Sequence, residues 1–225
     1  GTLLLFVDPL ETTAIRPEAP GVRYFEGGKV HEAGEILLRD GETLYLAPGA
    51  VVRGTVKAEN AKNIRILGPG ILDGRTRTRK ATFMRLNNCQ NLEIRDVTVL
   101  GSYGWTIVPR GCDGVTLRNV KVFSWRDNDD GLDICSSRNV TVDGCFFRTK
   151  DDCIAIKAPR GNRTGAHDVK GVTIRNSVFW NAEWGNAMEI GFELRTARIG
   201  HIVWRNCDII RVERGAVFSV HNGDW

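Results

Sequence analysis

One short phrase returns along this chain and limits what it can fold into. Apolar and polar side chains alternate in NIRI at Asn63, NLEI at Asn91, GVTL at Gly114, NVTV at Asn139, GVTI at Gly171 and HIVW at His201, at separations of 28, 23, 25, 32 and 30 residues. Alternation of period two is the mark of a strand with one face buried. Most copies are followed by a second apolar pair, as in Val97 to Val99, Val120 to Val122, Cys145 to Phe147 and Ser177 to Phe179. A third strand then opens the next phrase, with Leu86, Ile107, Leu132, Ile154, Met188 and Phe218 as its apolar residues. Three short strands per repeat and no helical pattern between them predict an all-β coil, a parallel β-helix whose rungs stack at about 4.8 Å.

Competing architectures lack their signatures. Leucine-rich repeats share the period, but their leucine-asparagine consensus is missing. A β-sandwich needs hairpin turns, and NG or DG pairs between alternating strands are scarce. Asn63, Asn91 and Asn139 stand where a coil must turn, and asparagine tolerates the left-handed region there, so they read as corners and not as ligands. Cys89, Cys112 and Cys135 recur every 23 residues, which is a repeat spacing and not a metal or disulfide spacing. They are expected as stacked, reduced, buried thiols, one per rung. No CxxC pair suggests zinc. Residues 1–50 are less regular and are expected to cap and feed the coil, with the β-helix proper over 51–225. The coil stops partway through a rung at HNGDW, so further chain or self-association is expected to cover that end.

Composition narrows the partners. With 225 residues and 42% hydrophobic content the chain can bury one continuous core, and its net charge of +4 is spread without the basic run of a nucleic-acid arm. The apolar run Leu3 to Val7 is too short to span a bilayer and lacks the flanks of a secretory signal. Neither nucleic acid nor membrane is an expected partner, and no cofactor is implied.

Aspartates gather at one place in the repeat. If Ile107, Leu132, Ile154, Met188 and Phe218 are equivalent, the residues two earlier are Trp105, Asp130, Asp152, Asn186 and Ala216, and those three earlier are Gly104, Asp129, Asp151, Gly185 and Gly215. Two doubled aspartates thus become neighbours on adjacent rungs. A single aspartate at a turn is ordinary, but stacked carboxylates repel, which raises at least one pKa and suits a catalytic or metal site. Such a set can supply one protonated acid and one ionised base, the requirement of glycosidic cleavage.

Asn128-Asp129-Asp130-Gly131-Leu132-Asp133 and Asp151-Asp152-Cys153-Ile154-Ala155 resemble the NTDG(I/F)D and DDC(I/V)A motifs of the polygalacturonase-like glycoside hydrolases of family 28. The offsets of 21 and 22 residues from Asp130 to Asp151 and Asp152 are of the kind found there. The resemblance covers the coil from about residue 45 onward and implies a right-handed parallel β-helix. It further implies that Asp151 is the general acid, that Asp130 and Asp152 activate water with inversion, and that Asn128 supports Asp130. Where the family's pectinases carry Gly-His-Gly, this chain has Gly185-Asn186-Ala187, and where they carry Arg-Ile-Lys it has Val217-Phe218-Ser219. In those departures it is similar to the family 49 dextranases, so the expected substrate is an α-linked polysaccharide, pectin-like or a neutral glucan.

Residues alternating with the buried ones on the third strand, Arg110, Asp133, Lys157, Glu189, Ser219 and His221, are expected to floor a groove. From these and their neighbours, Asn128, Lys157, Asn186, Glu189, His221, Trp105 and Arg110 are the candidate substrate contacts. Tyr103, Trp105, Trp125, Trp180 and Trp184 either stack on sugar faces or pack over the coil. The insertion APRGNRTGAHDVKG from Ala158 is expected to rim the groove. A Ca2+-dependent polysaccharide lyase using Arg110, Lys157 or Arg214 as base, and a non-catalytic carbohydrate-binding coil, are the other readings. A polymeric substrate points to a secreted or periplasmic protein.

Overall fold

The computed structural model describes residues 3–8, 15–159, 168–196 and 198–223. Among the described residues there are 22 strands and no helix, and all of the strand pairings are parallel. The recurring phrase forms one sheet of eight strands: Val22–Phe25, Thr43–Leu46, Lys62–Leu67, Gln90–Arg95, Asp113–Arg118, Arg138–Asp143, Val169–Arg175 and Ile199–Arg205. A second sheet of 14 strands has two arms joined by the long strand Val51–Glu59, beside which Val30–Leu38 lies. One arm holds the second strand of each coil, from Ile71–Asp73 to Asp208–Val212, and the other holds the third, from Met84–Asn87 to Phe218–Asn222. The chain is a parallel β-helix, as the repeat predicts, and right-handed, as the family resemblance implies.

Register follows from what each coil buries. On the first sheet Ile64, Leu92, Val115, Val140, Val172 and Ile202 stack in line, and all but the last are shielded from solvent. A slip of one residue would turn each of these side chains outward, at a cost of about 1.5–3 kcal/mol per large aliphatic group. On the third strand Ile107 pairs with Leu132, Leu132 with Ile154, Ile154 with Met188 and Met188 with Phe218, the equivalence expected from the repeat. The interior is filled by this aliphatic stack, with Phe147 and Phe179 stacked 5.8 Å apart. In the last coil Val217, Phe218 and Val220 are exposed.

Asparagines make the corners. Asn63, Asn91 and Asn139 have φ near +55°, and Asn91 Nδ2 donates to Asn63 Oδ1 at 2.7 Å. Asn60 and Asn88 turn just before Asn63 and Asn91, with Asn88 Nδ2 donating to Asn60 Oδ1 at 3.3 Å, and Asn119, Asn176 and Asn206 turn at the corner between first and second strands, where Asn206 Nδ2 donates to Asn176 Oδ1 at 2.6 Å. Stacking side-chain amides satisfies polar groups where the sheet ladder is interrupted.

The cysteine ladder needs a correction. Cys89, Cys112, Cys135, Cys145 and Cys153 are buried and all six cysteines are free thiols, but Cys135 does not stack with the first two. Arg110 pairs with Cys135, so that coil takes 25 residues where the cysteine spacing suggests 23. Above Cys112 stands Ser137, whose Oγ accepts from the Cys112 amide at 2.9 Å. Cys135 instead lies on the third strand beside Lys157. Equal spacing in sequence thus placed two thiols in one stack and the third on another strand.

The N-terminal portion begins with strands Val22–Phe25, Val30–Leu38 and Thr43–Leu46, which continue both sheets. Residues 3–8 lie elsewhere, against the second arm: Phe6 meets Phe123 and Phe146 at centroid distances of 5.9 and 5.1 Å, and Asp8 pairs with Lys121 at 2.6 Å. No helix among the described residues is long and apolar enough to cross a membrane.

Candidate active site

The connections from the second to the third strand all emerge at one corner of the coil, and the aspartates sit there. Residues 124–131, 150–153 and 182–187 are three such connections on successive coils. Thr106 N donates to Asp130 O, Gly131 N to Asp152 O, and Cys153 N to Asn186 O. This backbone ladder places Trp105, Asp130, Asp152 and Asn186 side by side, one rung apart.

Asp129 and Asp130 diverge although they are adjacent. Asp129 points into the turn, where its carboxylate accepts the amides of Arg126, Lys150 and Asp151 at 2.5, 3.1 and 3.1 Å. Burial pushes its pKa up to about 7 against those hydrogen bonds. It ties two connections together and is a positioning residue. Asn128 has φ +58°, and the left-handed turn there sends Asp130 toward the open side.

A cleft of about 300 Å³ is lined by Trp105, Asn128, Asp130, Asp151, Asp152, Lys157, Gly185, Asn186, Glu189, Phe192, Glu193 and His221. Every residue proposed from the sequence as catalytic or substrate-binding is in this set except Arg110, which is half-buried beside Trp105 with its guanidinium 6.0 Å from that ring. Asp152 Oδ1 accepts the backbone amide of Asn186 at 2.6 Å and its side-chain amide at 3.3 Å, and the same side chain donates to Glu189 Oε2 at 2.9 Å. Asp151 Oδ1 accepts the Asp152 amide at 3.0 Å. Burial, then the charge of Asp130, raises both carboxyls; Asp152, which also faces Asp151, reaches about 7.

Lys157, expected on the floor of the groove, lines the cleft but is buried and already paired. Its side chain is 4% exposed, and Nζ lies 3.0 Å from Asp130 Oδ2, 2.9 Å from Asp133 Oδ1 and 3.6 Å from Glu193 Oε2. The ammonium also sits 3.9 Å from the centroid of Trp105. Burial works against its charge, but Asp133, Asp130 and Glu193 outweigh that and hold its pKa above the lysine range. Asp133 and Glu189 are buried as well, and burial followed by the Asp130 charge pushes Asp133 far up. The ridge expected to floor a groove is therefore a desolvated ion cluster with a lysine at its centre.

Three lining residues escaped the sequence reading. Gly185 is required because a Cβ there would meet Asp152 N at 2.4 Å and Asp151 Oδ1 at 2.6 Å, and its φ is +69°. Phe192 packs edge-on against His221 at 4.9 Å. Glu193 has the strand parity of Glu189, but Ile156 to Ala158 is matched by Ile190 to Leu194, so a count across coils misses it by the extra residues of a bulge. Of the aromatics expected near the acids, Trp105 lines the cleft, Trp125 and Trp184 are exposed, Tyr103 lies under Arg126 at 5.3 Å and Trp180 under Arg148 at 5.1 Å. Residues 160–167 of the long insertion lie outside the described residues. Among the described residues no group of three or more His, Cys, Asp or Glu is arranged to hold a metal ion.

The raised Asp152 gives a measurable consequence. An acid whose folded pKa lies above its unfolded value binds more protons when folded, so stability is lost as pH rises from the unfolded value near 3.9 to about 7. Asp152→Asn, which keeps an acceptor for the Asn186 amide, is expected to flatten this decline. In urea unfolding it should gain on the order of 2–4 kcal/mol over the unmodified chain at pH 8 and little at pH 4. Equal gains at both pH values would assign the effect to packing.

Comparisons with known proteins agree with the fold. The model of glycosyl hydrolases family 28 matches residues 53–164. A polygalacturonase of Chamaecyparis obtusa is 23% identical over 158 residues, covering 68% of this chain and 29% of that protein. The endo-polygalacturonase of Pectobacterium carotovorum subsp. carotovorum is 26% identical over 163 residues, covering 61% and 39%. Among solved structures, a hyperthermoactive exopolygalacturonase from Thermotoga maritima superposes with a TM-score of 0.76 at 18% identity, over 90% of this chain and 62% of that one. The polygalacturonase of Erwinia carotovora ssp. carotovora gives 0.74 at 18% identity, over 85% and 62%. This chain thus spans well under half the length of these two sequence relatives. The coil, its stacked aspartates and the matched residues together make it a polygalacturonase-like member of glycosyl hydrolases family 28.

Proposed function

We propose that this chain carries the catalytic coil of a glycoside hydrolase that degrades pectin-type, α-linked polysaccharide by inversion. The observation that carries the reading is the gathering of Asp130, Asp151 and Asp152 on two adjacent coils in one cleft, with unlike surroundings. Burial raises the pKa values of Asp151 and Asp152, while Asp130 lies 3.0 Å from the Lys157 ammonium.

In this reading Asp151 gives its proton to the glycosidic oxygen as the bond from that oxygen to the anomeric carbon breaks. Water held between Asp130 and Asp152 attacks the anomeric carbon from the opposite face and passes a proton to the base. The products are a new reducing end of inverted configuration and the free alcohol of the leaving sugar. Asn128, Asn186, Trp105 and His221 are the groups left to contact the sugar at the point of cleavage. Lys157 is already engaged by carboxylates and acts there through Asp130. Secretion or periplasmic placement accords with a polymeric substrate.

Following the anomeric proton by NMR during digestion of polygalacturonate, partly esterified pectin and a panel of α-glucans tests the proposal. The β-anomer should appear first, with no product absorbing in the ultraviolet. Initial release of the α-anomer would remove the inverting assignment, and an unsaturated product would indicate elimination.

A further inference from the structure

The acid cleft holds two more carboxylates than the proposed reaction uses. Asp130, Asp151 and Asp152 account for the proton donor and the water, and Glu193 lies 3.6 Å from the Lys157 ammonium. Glu189 remains. It is 3% exposed, and a carboxylate taken out of water costs free energy unless its oxygens are met. Register gives it small neighbours, since Glu189 pairs with Ala155 on one coil and with Ser219 on the next. A Cβ on Gly191 would collide with Glu189 Oε1, so the side chain missing there makes room for it. Oε2 accepts from Asn186 Nδ2 at 2.9 Å.

Asn186 cannot turn that amide round. Its Oδ1 accepts the Ala216 amide at 2.8 Å, and a backbone N–H can only donate, so the hydrogens of Nδ2 point the other way. A flipped amide would set its oxygen between Asp152 and Glu189 and its hydrogens against the Ala216 N–H. As it stands, one Nδ2 hydrogen serves Glu189 Oε2 and the other serves Asp152 Oδ1 at 3.3 Å, while the Asn186 backbone amide donates to the same Oδ1 at 2.6 Å. What Asn186 still offers a sugar is an oxygen lone pair.

The amide thus joins two acids of successive coils: Asp152 precedes the strand Ile154–Ala158, and Glu189 belongs to Met188–Leu194. Being neutral, it adds no titration of its own. Other charged groups bear on both ends. Burial, then Asp130 and Asp151, raise Asp152, and Lys157 opposes them. Glu193, His221 and Lys157 share the cleft with Glu189. Two donors hold Asp152 Oδ1, so Oδ2 is the oxygen left for water.

We propose that Glu189 is a positioning residue for the hydrolysis, acting on Asp152 through the Asn186 amide: by accepting one Nδ2 hydrogen it aims the other at Asp152 Oδ1 and leaves Oδ2 turned to the attacking water. Its negative charge, one amide away, also opposes the ionisation of Asp152. This inference rests on the reading of Asp152 as one of the two acids that activate water.

Two substitutions separate the acceptor from the charge. Glu189→Gln keeps an oxygen for Asn186 Nδ2 and drops the charge, whereas Glu189→Leu removes both at similar size. With circular dichroism showing the coil retained, Glu189→Leu should lower kcat at least about tenfold with KM within about threefold, and Glu189→Gln should recover most of that loss. In both variants the limb of the kcat/KM pH profile that reports Asp152 should move down by about half a pH unit or more, because a like charge is gone. Carbon-13 NMR of carboxyl-labelled aspartates, with Asp152 assigned through Asp152→Asn, reads the same titration without substrate and should show the same move. The Asn186 side-chain amide should shift in nitrogen-15 spectra of Glu189→Leu and stay near its place in Glu189→Gln. A raised KM with kcat unchanged would make Glu189 a sugar contact and overturn the proposal. So would Glu189→Gln as slow as Glu189→Leu, or an Asp152 titration unmoved in both. If the NMR changes appear but the unmutated chain cleaves no glycan, the hold on Asp152 stands and the hydrolase reading falls; if the chain cleaves glycan and neither variant alters rate or titration, the reverse holds.

Discussion

Asp151→Asn is expected to lower kcat by about 10²–10⁴-fold while leaving affinity for substrate within a few-fold, because it removes a transferable proton and little else. The amide oxygen can still accept the Asp152 N–H that Asp151 Oδ1 accepts at 3.0 Å, so the turn is retained. Gly185, whose missing Cβ makes room beside Asp151 Oδ1, is unaffected by an isosteric change. Steady-state kinetics on polymer and oligosaccharide, with circular dichroism to show an unaltered coil, measures the effect. A substrate with an activated leaving group, which needs less protonation, should recover most of the lost rate in the variant. If the loss were equal for activated and natural substrates, Asp151 would not be the proton donor, and Asp152 would be the next residue to test.

Replacing Lys157 by methionine is expected to be the most damaging single change to stability at this site. Its ammonium lies 3.0, 2.9 and 3.6 Å from the carboxylates of Asp130, Asp133 and Glu193, and Asp133 is fully buried. Removing one partner of a buried ion cluster leaves the others uncompensated, at a cost of about 3–5 kcal/mol at pH 7. In the unmodified chain the raised Lys157 pKa contributes stability that is present throughout the range below the lysine value near 10.4. In the variant the unpaired carboxyls take up protons more readily than in the unfolded chain, so stability falls as pH rises above about 4. The gap between the two proteins should therefore widen from pH 4 to pH 7 in urea unfolding. A gap of constant size would mean that the stem packing against Trp105, and not the charge, is what Lys157 supplies. Activity should fall as well, since Asp130 would lose the cation it faces.

Both predictions depend on features with very different visibility in the sequence. The coil was legible because a parallel β-helix repeats its burial pattern in every turn: alternating NIRI-type phrases, asparagine at the corners, and an apolar residue opening each third strand. Counting from those residues also brought Asp130 beside Asp152 and Asn186, since in-register stacking turns sequence offsets into neighbours. The same counting failed where the offset was not set by the strands. Cys135 copied the 23-residue interval of the thiols above it, but its coil is longer, and it went to another strand. Glu193 was hidden by a bulge.

Periodicity also separated one face of a strand from the other without revealing how wet that face is. Asp133, Lys157 and Glu189 alternate with core residues as solvent-facing side chains do, and all three are buried under the cleft wall. Nor could spacing divide the labour between neighbouring aspartates. Asp129 and Asp130 differ by one position, and only the chain direction after Asn128 turns the first toward three backbone amides and the second toward the cleft.

By itself, then, the order of residues determined the coil, its register and the meeting of Asp130, Asp151 and Asp152, because those follow from local periodicity and stacking alone. Tertiary structure decided which acids have raised pKa values, which are paired with Lys157, and where unbalanced cations such as Arg77 remain. Charge state depends on burial and on neighbours contributed by other coils, and no interval along one chain encodes either.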